Sequence, residues 1–194
     1  MAREPAPGAH DRILDTASRL FSERGVRAVG LQQVVDECGC GKNLLYREFS
    51  SKDDLVVAYL ERCREDWTVT FEATIRPFAG DPAAQLVAVV RAAAEAATAP
   101  EFRGCPLHNT HAEFRDPDHP AHRVAVDYVN AMRVQFEDLA ERAGARDPRA
   151  LADRIMLIIE GLNANGAVLG RSGAASEAVT FAEDVVRAAT RERS

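Results

Sequence analysis

The chain has 194 residues, of which 46% are hydrophobic and 28% charged, enough for one large or two small folding units with a proper core. No apolar run approaches the ~18 residues of a transmembrane helix, and the opening MAREPAPGAH has no apolar stretch, so neither a membrane span nor a secretory signal is expected and the chain is read as cytoplasmic. The net charge of −6 is unlike that of a nucleic-acid binder, so any phosphate binding has to come from a few placed cations and helix N-termini and not from a broad basic field.

Charge is unevenly placed. Residues 1–60 carry eight Lys or Arg and nine Asp or Glu, whereas residues 61–194 carry sixteen and twenty-one. Both lysines of the chain, Lys42 and Lys52, fall within residues 31–55.

Residues 1–9 read as a flexible arm. Alternating apolar runs and hairpin signals are absent, and helical spacing recurs instead. Ile13, Ala17, Leu20 and Phe21 form one apolar stripe that Gly25 ends. Leu31, Val34 and Val35 form a second, ended by Gly39, and Leu44, Leu45 and Phe49 a very short third. From Lys52 the stripe Leu55, Tyr59, Cys63, Trp67 and Phe71 runs to about Pro77. Asp81-Pro82 is a helix start, leading a helix to about Pro100.

Three prolines divide the irregular stretch EFRGCPLHNTHAEFRDPDHPAH, with a short helix expected from Pro106 to Phe114. A long helix follows from about Pro120 to Ala143, with Val124, Tyr128, Met132, Phe136 and Leu139 inward. Asp147-Pro148 starts another that reaches Leu169. Residues 171–176 read as a turn, and a last helix covers about Ala175 to Thr190. The expected fold is all-α, with about nine helices. Residues 10–50 would form a helix-turn-helix head, and residues 51–194 a larger helical body for ligand binding and dimerisation.

Residues 31–55 carry the chemistry. A short helix, a glycine turn and a second short helix outline a helix-turn-helix, whose second helix lies in the DNA major groove. Asn43 suits a bidentate bond to adenine, and Arg47 a guanine or a phosphate. Tyr46 can bond phosphate through its hydroxyl. Lys42 and Leu44 share that recognition helix, Gln32 and Gln33 open the preceding one, and Lys52 stands at the start of the next, where ammonium and helix dipole both attract phosphate.

The stretch from Ile13 to Leu55 resembles the N-terminal domain of the TetR family of transcriptional regulators. The resemblance rests on Ala17, Leu20, Phe21 and Gly25, on the Gly39 turn, and on Lys42, Leu45, Tyr46, Phe49, Ser51, Lys52 and Leu55. The stretch FRGCPLHNTHAEFRDPDHPAH also resembles a C-terminal segment of some members. The resemblance implies an all-helical homodimer that binds a palindromic operator and is released by a small molecule, with the last two long helices as dimer interface. The chain departs from the family at Gly30 and Gly41, where a hydroxyl cap is usual, and at Leu44, where a small residue is usual. Absent caps cost helix ends ~1 kcal/mol each, least when glycine replaces them.

In the body, Trp67, Phe71, Phe102, Tyr128 and Met132 are candidates to line an apolar pocket, with His108, Asn109, His111 and Asn163 as polar groups to orient a ligand. A hydrophobic or aromatic effector would fit. Four of the five histidines fall within residues 108–122, so a metal-responsive alternative involves Cys105, His108 and His111. Their spacing matches no closed tetrahedral signature, and no metal or other cofactor is assigned. The four cysteines, Cys38, Cys40, Cys63 and Cys105, form no paired framework and are expected as reduced thiols. Cys38 is expected in the core and Cys40 partly exposed, and a thiol-responsive alternative would act through this pair. The chain has no Gly-rich phosphate loop, G-x-S-x-G elbow or H-E-x-x-H, so no enzymatic activity is expected.

Overall fold

The computed structural model describes residues 8–169, 173 and 175–191. The arm expected over residues 1–9 lies outside the described residues as far as residue 7, as do residues 171, 172 and 174 of the turn expected at 171–176, whose last two residues already belong to the final helix. Ala9 already begins the first helix.

Among the described residues the chain is all-helical. Its α-helices are α1 (Ala9–Arg24), α2 (Leu31–Cys38), α3 (Lys42–Glu48), α4 (Lys52–Ile75), α5 (Pro82–Ala97), α6 (Pro106–Glu113), α7 (Pro120–Arg142), α8 (Pro148–Leu169) and α9 (Ala175–Thr190). One turn of 3-10 helix, Arg76–Phe78, follows α4. None of these helices is long and apolar enough to cross a membrane.

Local chemistry explains the boundaries. Asp81 Oδ1 accepts the Ala84 N–H at 2.9 Å and Asp147 Oδ1 accepts that of Ala150 at 2.9 Å, each just ahead of a proline that needs no partner. Ser51 Oγ accepts the Asp54 N–H at 3.0 Å and opens α4. By contrast, Gly30 and Gly41 offer α2 and α3 no side-chain cap. Those two helices have only eight and seven residues, too few to persist alone, so burial of Val34, Val35 and Leu45 must hold them.

The chain divides into two compact units. One takes the described residues up to Glu65 together with Pro106–Val126, and the other takes Asp66–Cys105 and the residues from Asp127 onward. In the first unit, α1 buries Ile13, Ala17, Leu20 and Phe21, and α4 contributes Leu55, Val56, Tyr59 and Leu60. Phe21 and Tyr59 meet edge to face at 5.5 Å, an arrangement favoured by the ring quadrupoles. Arg19 on α1 bonds Glu37 on α2, which holds its guanidinium above the usual range.

In the second unit α5, α8 and α9 pack on one another. Leu86, Val89 and Val90 of α5, Leu151, Ile155, Ile159 and Leu162 of α8, and Ala178, Ala182 and Val186 of α9 are buried, with Phe136 and Leu139 of α7. The α5–α8 approach is close: a Cβ at Gly166 would stand 2.6 Å from Ala97 Cβ and 2.8 Å from its carbonyl oxygen.

Candidate nucleic-acid interface and effector site

Helix α3 has two faces. Leu45 is fully buried and Leu44 half-buried, while Lys42, Asn43, Tyr46 and Arg47 are exposed. Lys42 Nζ sits 5.9 Å from the centre of the Tyr46 ring, a cation–π spacing, and Arg47 Nε lies 3.5 Å from Glu48. On α2, Gln32 is exposed and donates to Asp36 at 2.9 Å, and Gln33 is half-buried. Four of the sequence-derived candidates thus share one exposed face of a single helix turn and a half.

Lys52 has a different setting. It is half-buried, and burial lowers its ammonium pKa from the ordinary 10.5, against an opposing pull from Glu113 and Asp53; the Arg27 charge lowers it further. It belongs as much to the interior of its unit as to a DNA-facing surface.

Glu113, at the end of α6, is the tie that sequence reasoning missed. Its Oε1 accepts the Val26 N–H at 3.0 Å and its Oε2 the Arg27 N–H at 2.6 Å, holding the loop between α1 and α2. Gly25 makes room: its φ is +83°, and a Cβ there would lie 3.1 Å from Glu113 Oε1. Arg27 also lies 5.4 Å from the centre of the Phe114 ring. No periodicity in the sequence could reveal a partner 87 positions away.

The histidines of this region are engaged locally. His111 and His122 rings meet at 4.5 Å, and His119 stacks on Phe114 at 4.2 Å. His119 Nε2 lies 3.5 Å from Asp53, and His122 Nδ1–H donates to the Phe114 carbonyl at 3.3 Å. Among the described residues no three His, Cys, Asp or Glu side chains gather to hold a metal ion. The metal-responsive alternative therefore has no geometric support, because these rings are turned to one another and to Phe114 rather than to a common point.

The effector candidates separate into two groups. Trp67, Phe71, Phe102, Tyr128, Met132 and Asn163 belong to the second unit, whereas His108, Asn109 and His111 belong to the first. Trp67 and Phe71 on α4 meet at 5.9 Å, Trp67 and Tyr128 on α7 at 6.3 Å, and Phe71 and Phe136 at 6.1 Å. Met132 is buried beside them in sequence on α7. The Trp67 indole N–H is buried with no hydrogen-bond partner, a costly state that an acceptor would relieve. Phe102 is half-buried after α5, and Asn163 on α8 donates to Glu160 at 3.4 Å. His111 and Asn109 are exposed.

A second apolar feature lies on the last two long helices, which the family resemblance gives as the dimer interface. A groove of ≈ 640 Å³ opens between α8 and α9, lined by Leu157, Ile158, Leu162, Ala178, Phe181 and Val185 among others. Leu157 is 72% exposed and Phe181 58%, large side chains that a lone subunit would not leave in water without a reason.

The cysteines depart from expectation. Cys38 and Cys40 are joined in a disulfide instead of standing as thiols, and their burial is reversed, Cys38 being half-exposed and Cys40 only 7% exposed. The reason lies in the end of α2. Gly39 is left-handed (φ 63°), and the Cys40 N–H turns back to the Val35 carbonyl at 3.3 Å. That is a Schellman-type cap, which presses the residue after the glycine onto the helix.

Comparison with known proteins agrees with this geometry. The family described as "Bacterial regulatory proteins, tetR family" matches residues 13–59, and the "Tetracyclin repressor-like, C-terminal domain" matches residues 82–182. An uncharacterized HTH-type transcriptional regulator of Mycobacterium tuberculosis is 43% identical over 54 residues, 28% of this chain and 27% of that protein. The HTH-type transcriptional activator FasR of Mycolicibacterium smegmatis is 38% identical over 60 residues, 31% of this chain and 27% of that one. The chain thus aligns with about a quarter of the length of these curated relatives. A TetR-family regulator from Streptomyces coelicolor superposes with a TM-score of 0.89 at 29% identity, over 94% of this chain and 96% of that one. A TetR regulator from Chloroflexus aurantiacus has the same fold, with a TM-score of 0.81 at 21% identity over 95% and 97% of the two chains. The C-terminal match alone spans more than half of the sequence, and the chain belongs to the TetR family of helix-turn-helix transcriptional regulators.

Proposed function

We propose that this chain is a ligand-responsive repressor that binds a palindromic operator as a homodimer and lets go when a small hydrophobic or aromatic effector binds. It acts on DNA in the cytoplasm and catalyses no reaction. The observation that carries this reading is the division of α3 into a buried Leu45 side and an exposed side of Lys42, Asn43, Tyr46 and Arg47. Asn43 and Arg47 would read base edges, while Lys42, Tyr46 and the glutamines Gln32 and Gln33 would position the helix on phosphates, with Leu44 beside them.

The exposed apolar groove of α8 and α9 supports a second copy of this chain as partner, since a two-fold pairing covers Leu157 and Phe181 on both subunits at once. The Trp67, Phe71, Tyr128 and Phe136 cluster, with its unpaired indole N–H, suits an aromatic effector that carries a hydrogen-bond acceptor. Helix α4 holds Trp67 and Phe71 near one end and begins at Lys52, directly after the head, so a displacement of α4 would couple effector to DNA.

The test is a mobility shift on the DNA upstream of the chain's own gene, with salt titration. Sequence-specific binding by a dimer is expected, and Asn43→Ala should narrow the gap between specific and random duplex by about 1–3 kcal/mol. Equal binding of parent and Asn43→Ala to both duplexes would show that α3 does not read bases. Run-off transcription then distinguishes repression from activation.

A further inference from the structure

The Cys-Gly-Cys sequence at the turn of the helix-turn-helix has no part in the reading above. Cys38 is the last residue of α2, and Cys40 stands just ahead of Gly41, where α3 begins. The left-handed Gly39 between them folds the chain back so that the two Cα atoms are 5.3 Å apart, inside the window that a disulfide spans. The link closes around an intact turn. The Cys40 N–H still reaches the Val35 carbonyl at 3.3 Å and lies 3.2 Å from Cys38 Sγ. In this linked form Val34 and Leu45 are fully buried, and Lys42, Asn43 and Tyr46 are exposed.

We propose that Cys38 and Cys40 are a reversible dithiol–disulfide site that responds to hydroperoxides, and that its closed form holds the turn in its DNA-reading shape. The proposal rests on the DNA-binding reading, because a protein that works on DNA shares a reducing compartment. Disulfides there are mostly transient and catalytic or sensing.

The chemistry balances with the peroxide as oxidant. The half-exposed Cys38 sulfur attacks one peroxide oxygen. An S–O bond forms, the O–O bond breaks, and the departing oxygen leaves as water or alcohol with the proton that the thiol gave up. The buried Cys40 sulfur then attacks the Cys38 sulfenic acid. The S–S bond forms, the S–O bond breaks, and the hydroxyl leaves as water with the Cys40 proton. The two thiols lose two electrons and the peroxide gains them; a dithiol reductant reverses the step by exchange. Opening the ring returns conformational freedom to Gly39, the residue type with most to recover, immediately before the recognition helix.

The test uses the full chain, hydrogen peroxide and a thiol alkylator. Trypsin releases residues 28–42, which contain Cys38 and Cys40 and neither Cys63 nor Cys105. After peroxide this peptide should be unalkylated and lighter by two hydrogens, with Cys63 and Cys105 still alkylated, and dithiothreitol should restore both labels. Amide exchange over residues 38–45 should be slower in the oxidised protein. Binding to a duplex selected from random DNA by the full chain should be kept or tightened severalfold on oxidation. Cys38→Ser should remove all three responses, with Cys40→Ala as a second variant. Alkylation of both cysteines after peroxide, cross-links between chains, or loss of the duplex on oxidation would overturn the proposal. If neither form binds any duplex, it is the DNA reading that fails, and the peptide mass and exchange rates still decide the site.

Discussion

The unit with α1, α2 and α3 and the unit with α5, α8 and α9 both bury helices, but polar ties fix the short helices and loop of the first, whereas long apolar stripes and one close approach of small residues join the helices of the second. In the first, Glu113 holds two backbone N–H groups of the loop after α1, Arg19 bonds Glu37, and a disulfide spans the turn. In the second, Ala97 and Gly166 let two helices come almost into backbone contact. The difference follows from length. Helices of eight and seven residues present too little apolar area to fix themselves and lack side-chain caps. Helices of 16 and 22 residues present enough to pack closely along their length, with Arg133–Asp153 and the Arg146 bonds to the Ala188 and Ala189 carbonyls added at their margins.

The largest expected effect tests whether the small-residue unit is complete without a second copy. Leu157→Glu with Phe181→Glu should convert a dimer to a monomer in sedimentation and weaken operator binding roughly a hundredfold or more, by loss of avidity. A double variant that stays dimeric would place the pairing face elsewhere. Next comes Gly166→Ala, whose methyl must push α5 and α8 apart; urea unfolding should show a cost of about 1–3 kcal/mol. Glu113→Ala strips partners from two N–H groups and should cost about 1 kcal/mol or somewhat more, with Glu113→Gln losing less. Should Glu113→Ala prove neutral while Gly166→Ala is costly, the polar ties of the first unit would be incidental.

The smallest effect concerns Lys52. Burial lowers its pKa below 10.5 in the folded chain, so between the folded and unfolded values the unfolded state holds more protons. Stability due to this group therefore rises as pH climbs through that window, and the burial penalty is fully present at neutral pH. Relative to Lys52→Met, the parent should gain stability as pH approaches 10.5 in paired urea titrations. A difference that stays constant with pH would mean that the ammonium is solvated.

The helices were legible wherever a local signal fixes them. Asp81 and Asp147 each cap a helix as their place before a proline suggests, and Gly39 ends α2 with left-handed angles. Tyr128, Met132, Phe136 and Leu139 follow the helical period and are buried. What the sequence hid is non-local. The expected burial of Cys38 and Cys40 is reversed in the structure, because the chain has already left the helix at Gly39 and the cap governs there. Periodicity marks an inward residue without saying whether it faces core or cavity, and it gave no sign that His108 and His111 fall in a different unit from Trp67. The state of Lys52 depends first on its burial and then on charges that include Glu113 and Arg27, neither of them a neighbour in sequence.

Glu113 has a consequence for anyone who builds chimeras in this family. The residues that would touch DNA lie between Gln32 and Lys52, yet the carboxylate that steadies the loop ahead of them arrives 87 positions after Val26. A reading head cut out at residue 50 is therefore not a portable cassette. A graft between relatives needs three crossovers, one within α4 and one on either side of residues 106–126, so that the donor's own strut travels with the donor's own loop.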